Sequence, residues 1–168
     1  MTRKGWKKIV FCLLFILSAG VARAQITGAE IGVNGLTCSQ CSRSVEMELR
    51  RLSFVADVNM DLDHTTGKIL FKKNRPVQLP ALSRAVANAG FSTRFLNITV
   101  DLSGAGRECF RYNQSAFYFL RPLSSSHPDT LTFQVIGKPF LPGKEYKKYH
   151  LTAAGNCTGK EKYYLMPL

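Results

Sequence analysis

Long apolar runs, blocks of like charge and clustered catalytic residues are all scarce in this chain, and each scarcity removes a class of function. The longest apolar run, Ile9 to Leu17, falls short of the roughly 20 residues that a bilayer-spanning helix needs. Cations outnumber acids 23 to 11, for a net charge of +12, but they are spread along the chain in nothing longer than pairs such as Lys72-Lys73 and Lys147-Lys148. Such a spread does not make a nucleic-acid binding surface; a mildly basic surface serves solubility or attraction to anionic partners. There is no convergent Ser/His/Asp set, no pair of carboxylates placed for acid–base work and no phosphate-cradling glycine loop. His127 and His150 lie far apart beside Pro and Tyr and read as plain surface residues. The chain is therefore expected not to be an enzyme, and any enzyme here would have to be a redox one.

What is present begins with an export pattern. Arg3, Lys4, Lys7 and Lys8 precede the apolar run, and Ala22-Arg23-Ala24 follows it as a small-x-small cleavage signal. Residues 1–24 are expected to be a signal peptide removed after Ala24, leaving no stable membrane span and a periplasmic or secreted protein. The mature chain from Gln25 keeps 18 basic and 11 acidic residues, for a net charge of +7. Cys12 leaves with the peptide. Outside the cytosol disulfides persist, so Cys38, Cys41, Cys109 and Cys157 can all be oxidised. Four cysteines allow three pairings. Spacing favours Cys38 with Cys41 when oxidised, and Cys109 with Cys157 as a structural staple.

The periodicity then changes along the chain. Glu30-Ile31-Gly32-Val33-Asn34-Gly35-Leu36 alternates as a half-buried strand does. From Ser42, Val45, Leu49 and Leu52 recur at helical spacing, opposite Arg43, Glu46, Arg50 and Arg51, and Cys41 falls in the first turn of this helix. Val58, Met60 and Leu62 alternate toward the turn His64-Thr65-Thr66-Gly67, and Ile69 and Phe71 return from it as a hairpin. Pro76 and Pro80 bracket the entry to a second helix carrying Leu79, Leu82, Val86 and Ala89, closed by Gly90, and Phe91 starts another strand. This order, βαββαβ, predicts an α+β fold: a ferredoxin-like sandwich over residues 25–95 with both helices on one face of an antiparallel sheet.

Residues 96–168 read differently. Asn97–Leu102 and Leu131–Ile136 alternate, Phe117–Leu120 and Tyr163–Met166 are apolar, and Gly, Pro and Ser clusters separate them. A small, mostly β domain is expected, a barrel or compact sandwich. So small a core makes a Cys109–Cys157 bridge useful, contributing roughly 3–4 kcal/mol in the chain-entropy model. Sequons at Asn97, Asn113 and Asn156 matter only in a cell that glycosylates such sites.

Gly35-Leu36-Thr37-Cys38-Ser39-Gln40-Cys41 puts two thiols three positions apart at a strand-to-helix junction. The oriented N–H groups of a helix N-terminus favour thiolate, the form that binds metal or attacks a disulfide. Two sulfurs are too few for a closed zinc site, which takes four ligands. They suit a soft ion content with two, which points to Cu(I), with Hg(II) behind it and Zn(II) only with ligands from a partner or water. The same CxxC also suits thiol–disulfide exchange. Against that reading, a hairpin follows the first helix, where an exchanger of the thioredoxin type has a βαβ unit.

Residues 29–94 resemble the heavy-metal-associated domain, the fold of copper chaperones, of the N-terminal repeats of copper-exporting ATPases and of the periplasmic mercury-binding protein. The family's Gly-Met-Thr-Cys-x-x-Cys is met by Gly35 to Cys41, its Val-x-x-Val-x-Val by Val55-Ala56-Asp57-Val58-Asn59-Met60, and its Ala-Gly-Phe by Ala89-Gly90-Phe91. The resemblance implies Cys38 and Cys41 as metal ligands, with Leu36, Thr37 and Phe91 packed around them. A metal-donating or metal-accepting envelope protein is the expected partner, but the resemblance says nothing about the C-terminal β domain, so a further reading is an envelope interaction module in which that domain does the work. Leu36 stands where the family has Met, a near-isosteric change, and Phe54 stands where it has Gly, so that turn is expected to differ.

Overall fold

The computed structural model describes residues 24–149, 151 and 155–168. The signal-peptide reading, apart from Ala24, and His150 lie outside the described residues. The elements are β1 (Gln25–Asn34), α1 (Ser39–Arg50), β2 (Val55–Asp61), β3 (Thr66–Phe71), α2 (Leu79–Asn88), β4 (Ser92–Asp101), β5 (Cys109–Tyr112), β6 (Ser115–Phe119), β7 (Thr130–Ile136), α3 (Gly143–Tyr146) and β8 (Glu161–Pro167). One eight-stranded sheet runs in the order β2-β3-β1-β4-β7-β8-β6-β5. All its neighbours are antiparallel except β6 and β8.

The first four strands and two helices form the ferredoxin-like unit. Residues opposite each other on neighbouring antiparallel strands share a sheet face. The register Val58↔Ile69, Ala29↔Ile69, Ala29↔Ile98 and Ile31↔Leu96 therefore builds one apolar layer across the sheet. Val45 and Leu49 of α1 and Leu82 and Val86 of α2 are fully buried in the same core, as their helical spacing requires. Glu30, Lys68 and Asn59 share the opposite face. Phe54 is buried and meets Phe71 with ring centroids 5.9 Å apart, while Lys72 donates its N–H to the Phe54 carbonyl. Phe54, which stands where the family has glycine, is thus part of the apolar core.

The sequence puts a boundary at 95/96, but β4 runs through it from Ser92 to Asp101. One edge of β4 pairs with β1 and the other with β7, as in Ile98↔Phe133 and Val100↔Leu131. The strand expected at Phe91 and the strand expected at Asn97 are one. The apolar layer continues through Phe133, Val135, Leu165, Phe119, Phe117 and Phe110 in the same core as α1 and α2. Aromatic rings fill its far half, with centroids 4.9 Å apart for Phe110 and Phe117, 5.0 Å for Phe117 and Tyr163, and 5.1 Å for Phe119 and Phe133. Tyr112, at the end of β5, reaches the connection between β3 and α2: its hydroxyl accepts from the Val77 N–H at 3.2 Å and donates to the Arg75 carbonyl at 3.4 Å. The sheet curls enough for its last strand to touch its first half.

The structure joins Cys109 to Cys157 by a disulfide beside the stacked rings of Tyr118 and Tyr164. Of the three sequons, Asn97 is buried within β4 with its side-chain amide donating to Glu30, whereas Asn113 and Asn156 are exposed.

Candidate metal centre

Three pieces of chain meet at the end of the sheet where β1 stops. Gly35 turns the chain out of β1 at φ +78°, a left-handed conformation that an L side chain rarely adopts. Leu36 is 1% exposed and anchors the loop in the core, filling the part expected of an apolar residue there. Thr37 is exposed on the loop between Leu36 and Cys38.

Cys38 is the N-cap of α1, with extended φ of −138° and ψ of 154°, and its carbonyl accepts the first helical bond from the Ser42 N–H at 3.0 Å. A sulfur does here what a serine or aspartate oxygen usually does: Cys38 Sγ accepts the Cys41 backbone N–H at 3.0 Å. No acidic residue occupies the first turn of α1, so no carboxylate competes for these donors from within the helix. The helix begins at Ser39, which puts Cys41 at its third position, in the first turn as the spacing predicts. Cys38 is exposed, Cys41 is half-buried against the core, and the two sulfurs are bonded, with Cα atoms 5.1 Å apart. The bond is the oxidised form of a dithiol whose atoms already converge.

Phe91 is delivered to this loop by the end of α2. The Gly90 N–H donates to the Ala87 carbonyl at 2.9 Å and the Phe91 N–H to the Val86 carbonyl at 3.1 Å, with Gly90 at φ +90°. This pair of bonds and a left-handed glycine form a Schellman ending. It turns the chain sharply, so that Phe91 Cδ1 lies 4.0 Å from where a Cβ on Gly35 would stand. Phe91 is half-buried and presents a ring, not a charge, to the loop.

The turn between β2 and β3 lies at the same end. The Val33 N–H donates to the Thr65 carbonyl at 2.9 Å, and Arg94 donates to the His64 carbonyl at 2.8 Å and to Thr65 Oγ1 at 3.0 Å. Sequence reasoning missed Arg94, whose only signal is a lone cation in an otherwise half-buried strand. His64 pairs with Asp61 at 2.8 Å, and His127 meets the Pro128 carbonyl at 3.0 Å. Among the described residues no three His, Cys, Asp or Glu side chains cluster to hold an ion. The donor set at the loop is two sulfurs, which fits a two-coordinate soft ion and not a closed tetrahedral site.

Comparisons with known proteins agree with this arrangement. Residues 30–92 match the model of the heavy-metal-associated domain. The chain is 34% identical over 82 residues to the copper-transporting ATPase 1 of Rhizobium meliloti (strain 1021), covering 49% of this chain and 10% of that protein. It therefore spans about a tenth of the length of that ATPase. It is 28% identical over 64 residues to the copper chaperone CopZ of Staphylococcus haemolyticus (strain JCSC1435), covering 38% of this chain and 93% of the chaperone. Among solved structures, a copper binding domain from HMA7, a P-type ATPase, is 28% identical, covers 41% of this chain and 92% of that one, and superposes with a TM-score of 0.38. Strands β5 to β8 lie beyond the matched segment. The segment of this chain that matches the heavy-metal-associated domain thus opens in β1 and ends at the first residue of β4.

Proposed function

We propose that this protein is an exported carrier of a soft metal ion, holding Cu(I) between the thiolates of Cys38 and Cys41 for transfer or sequestration. The observation that carries this reading is the convergence of both sulfurs on the open N-terminus of α1, inside a segment that matches the heavy-metal-associated domain. The copper names of the ATPase and the chaperone support Cu(I) as the cargo. Hg(II) and Zn(II) are the alternative cargoes, Zn(II) with ligands from water or a partner. The export pattern at residues 1–24 supports a site of action outside the cytosol, with an envelope metal donor or acceptor as partner.

Loading requires the reduced pair. A two-electron reduction by a dithiol opens the Cys38–Cys41 bond, and each thiol gives up its proton as its sulfur takes the ion. The exposed Cys38 leaves room for an incoming thiolate to join the ion before the old bonds break, which suits transfer. The same dithiol serves exchange if its potential is poised near that of its redox partners.

The test is an anaerobic Cu(I) titration of the reduced protein against a chromogenic chelator, with Cys38→Ser/Cys41→Ser alongside. One ion per chain is expected in the parent and none in the variant. Equal uptake by both proteins would overturn the reading and turn attention to the thiol potential.

A further inference from the structure

We propose that the opposite end of the sheet is a docking groove for an extended acidic segment of a partner protein. The groove, about 1890 Å³ in volume, lies between the start of β1 and the outer strand β5. Among the described residues, neither wall has a strand on the side that faces the groove. Pairing of β1 with β3 stops at Gly28↔Leu70, so Gln25, Ile26 and Thr27 run on with no strand on that side among the described residues. Among the described residues β5 pairs with β6 alone. The Phe119 N–H donates to the Glu108 carbonyl at 2.8 Å, which sets the bonded rungs of the β5–β6 ladder at every second residue, 108, 110 and 112. The main-chain groups of Cys109 and Arg111 therefore point the other way. The Cys109 carbonyl is covered by Gly106, where a Cβ would come within 2.8 Å, which leaves Arg111 as the open rung.

The walls are cationic. Lys72, Lys73, Arg75, Arg107 and Arg111 line the groove against Asp101 and Glu108, and among the described residues none of the five forms an ion pair. Lys72 and Arg107 donate to the carbonyls of Ser53 and Leu123, and Asp101 accepts from the Ser103 N–H. All five are exposed, and Lys73, Arg75 and Arg111 are the ones whose side chains make no hydrogen bond among the described residues. Free phosphate or a lipid headgroup would meet the cations alone. A peptide main chain, alternating donor and acceptor, also satisfies the open backbone of β5 and β1, which is strand addition to a sheet edge. The first 23 residues of this chain carry five cations and no acid, so their charge does not suit the groove. The occupant belongs to another protein, and this inference stands or falls apart from metal binding.

The test is fluorescence anisotropy on the full chain with an extended peptide of about eight residues alternating glutamate and valine, roughly 27 Å long. Its lysine counterpart, its N-methylated form, inorganic polyphosphate and anionic phosphatidylglycerol vesicles serve as comparisons. The acidic peptide should bind, and N-methylation should weaken it by about tenfold because it removes backbone donors. Charge reversal at Lys73→Glu, Arg75→Glu and Arg111→Glu should weaken it at least as much, with circular dichroism and Cu(I) uptake unchanged. Amide shifts should concentrate at residues 25–27 and 111, away from 36–42. The proposal is overturned if the lysine peptide binds equally or the charge-reversed protein keeps its affinity. It is equally overturned if N-methylation costs nothing while polyphosphate or vesicles compete as well as the peptide, which would make the groove an anion site only.

Discussion

Gly35 and Gly90 bear on the thiol loop although neither carries a side chain. Each holds a left-handed backbone, and between them they bring Phe91 against the loop that precedes Cys38. Gly90→Ala has open space for its methyl group but must hold φ at +90°, so it should cost about 1 kcal/mol, read from the urea midpoint. Leu36→Ala removes a fully buried side chain from the loop and should cost roughly 2–4 kcal/mol in the same measurement. It should also weaken Cu(I) retention, whereas Thr37→Ala, at an exposed position, should leave stability near the parent's. The strand-to-helix placement of the two sulfurs and the burial of Leu36 were legible in the sequence because the CxxC lies between a strand pattern and a helix pattern. The N-cap role of Cys38 was not, since it depends on where the helix begins, and Ser39-Gln40 carries no apolar period to mark that start.

At the scale of elements, α1 is stitched to β2 through Arg50. Its guanidinium reaches Glu46 at 2.6 Å, Asp57 at 2.7 Å and the Val58 carbonyl at 2.5 Å. The bonds from Arg50 hold the carboxyl groups of Glu46 and Asp57 below their ordinary ranges, Asp57 with help from the Val58 N–H. A lowered pKa stabilises the fold above the unfolded value and loses that contribution as pH falls through the folded one. Stability should therefore decline as pH drops below the ordinary values of 4.5 and 3.8 for these two groups. Arg50→Gln should flatten that decline in urea midpoints taken across the same range, and unchanged acid sensitivity would refute the stitch. The βαββαβ order was readable because each element kept its own period. β5 escaped notice because Cys109-Phe110-Arg111-Tyr112 is too short to show alternation. The first residues of β1 escaped because Thr27-Gly28-Ala29 interrupts the pattern.

For the whole molecule, the continuous sheet has thermodynamic consequences. β4 is both the last strand of the ferredoxin-like unit and the first strand of the C-terminal half, and the two halves share one core. Heat or denaturant should unfold the chain in a single transition, with near-ultraviolet dichroism of the far-half tyrosines melting together with far-ultraviolet signal. Two resolved steps would show that the halves are energetically separate. Cys109→Ser/Cys157→Ser opens a bridge spanning 48 positions and should cost about 4 kcal/mol in the chain-entropy model, measured by urea unfolding. Strand content beyond residue 96 was legible, but its attachment was not, because pairing partners are chosen by register and curvature, which Asn97–Leu102 alone does not encode.

β1 also acts as a spacer. Its last residue leads into the thiol loop and its first lines the basic groove, so ten extended residues, roughly 30 Å, hold the two apart. A protein seated in the groove leaves the approach to the sulfurs clear. Under the proposed carrier function, such a tether raises the local concentration of a metal donor or acceptor around the sulfurs above that set by diffusion through the whole compartment.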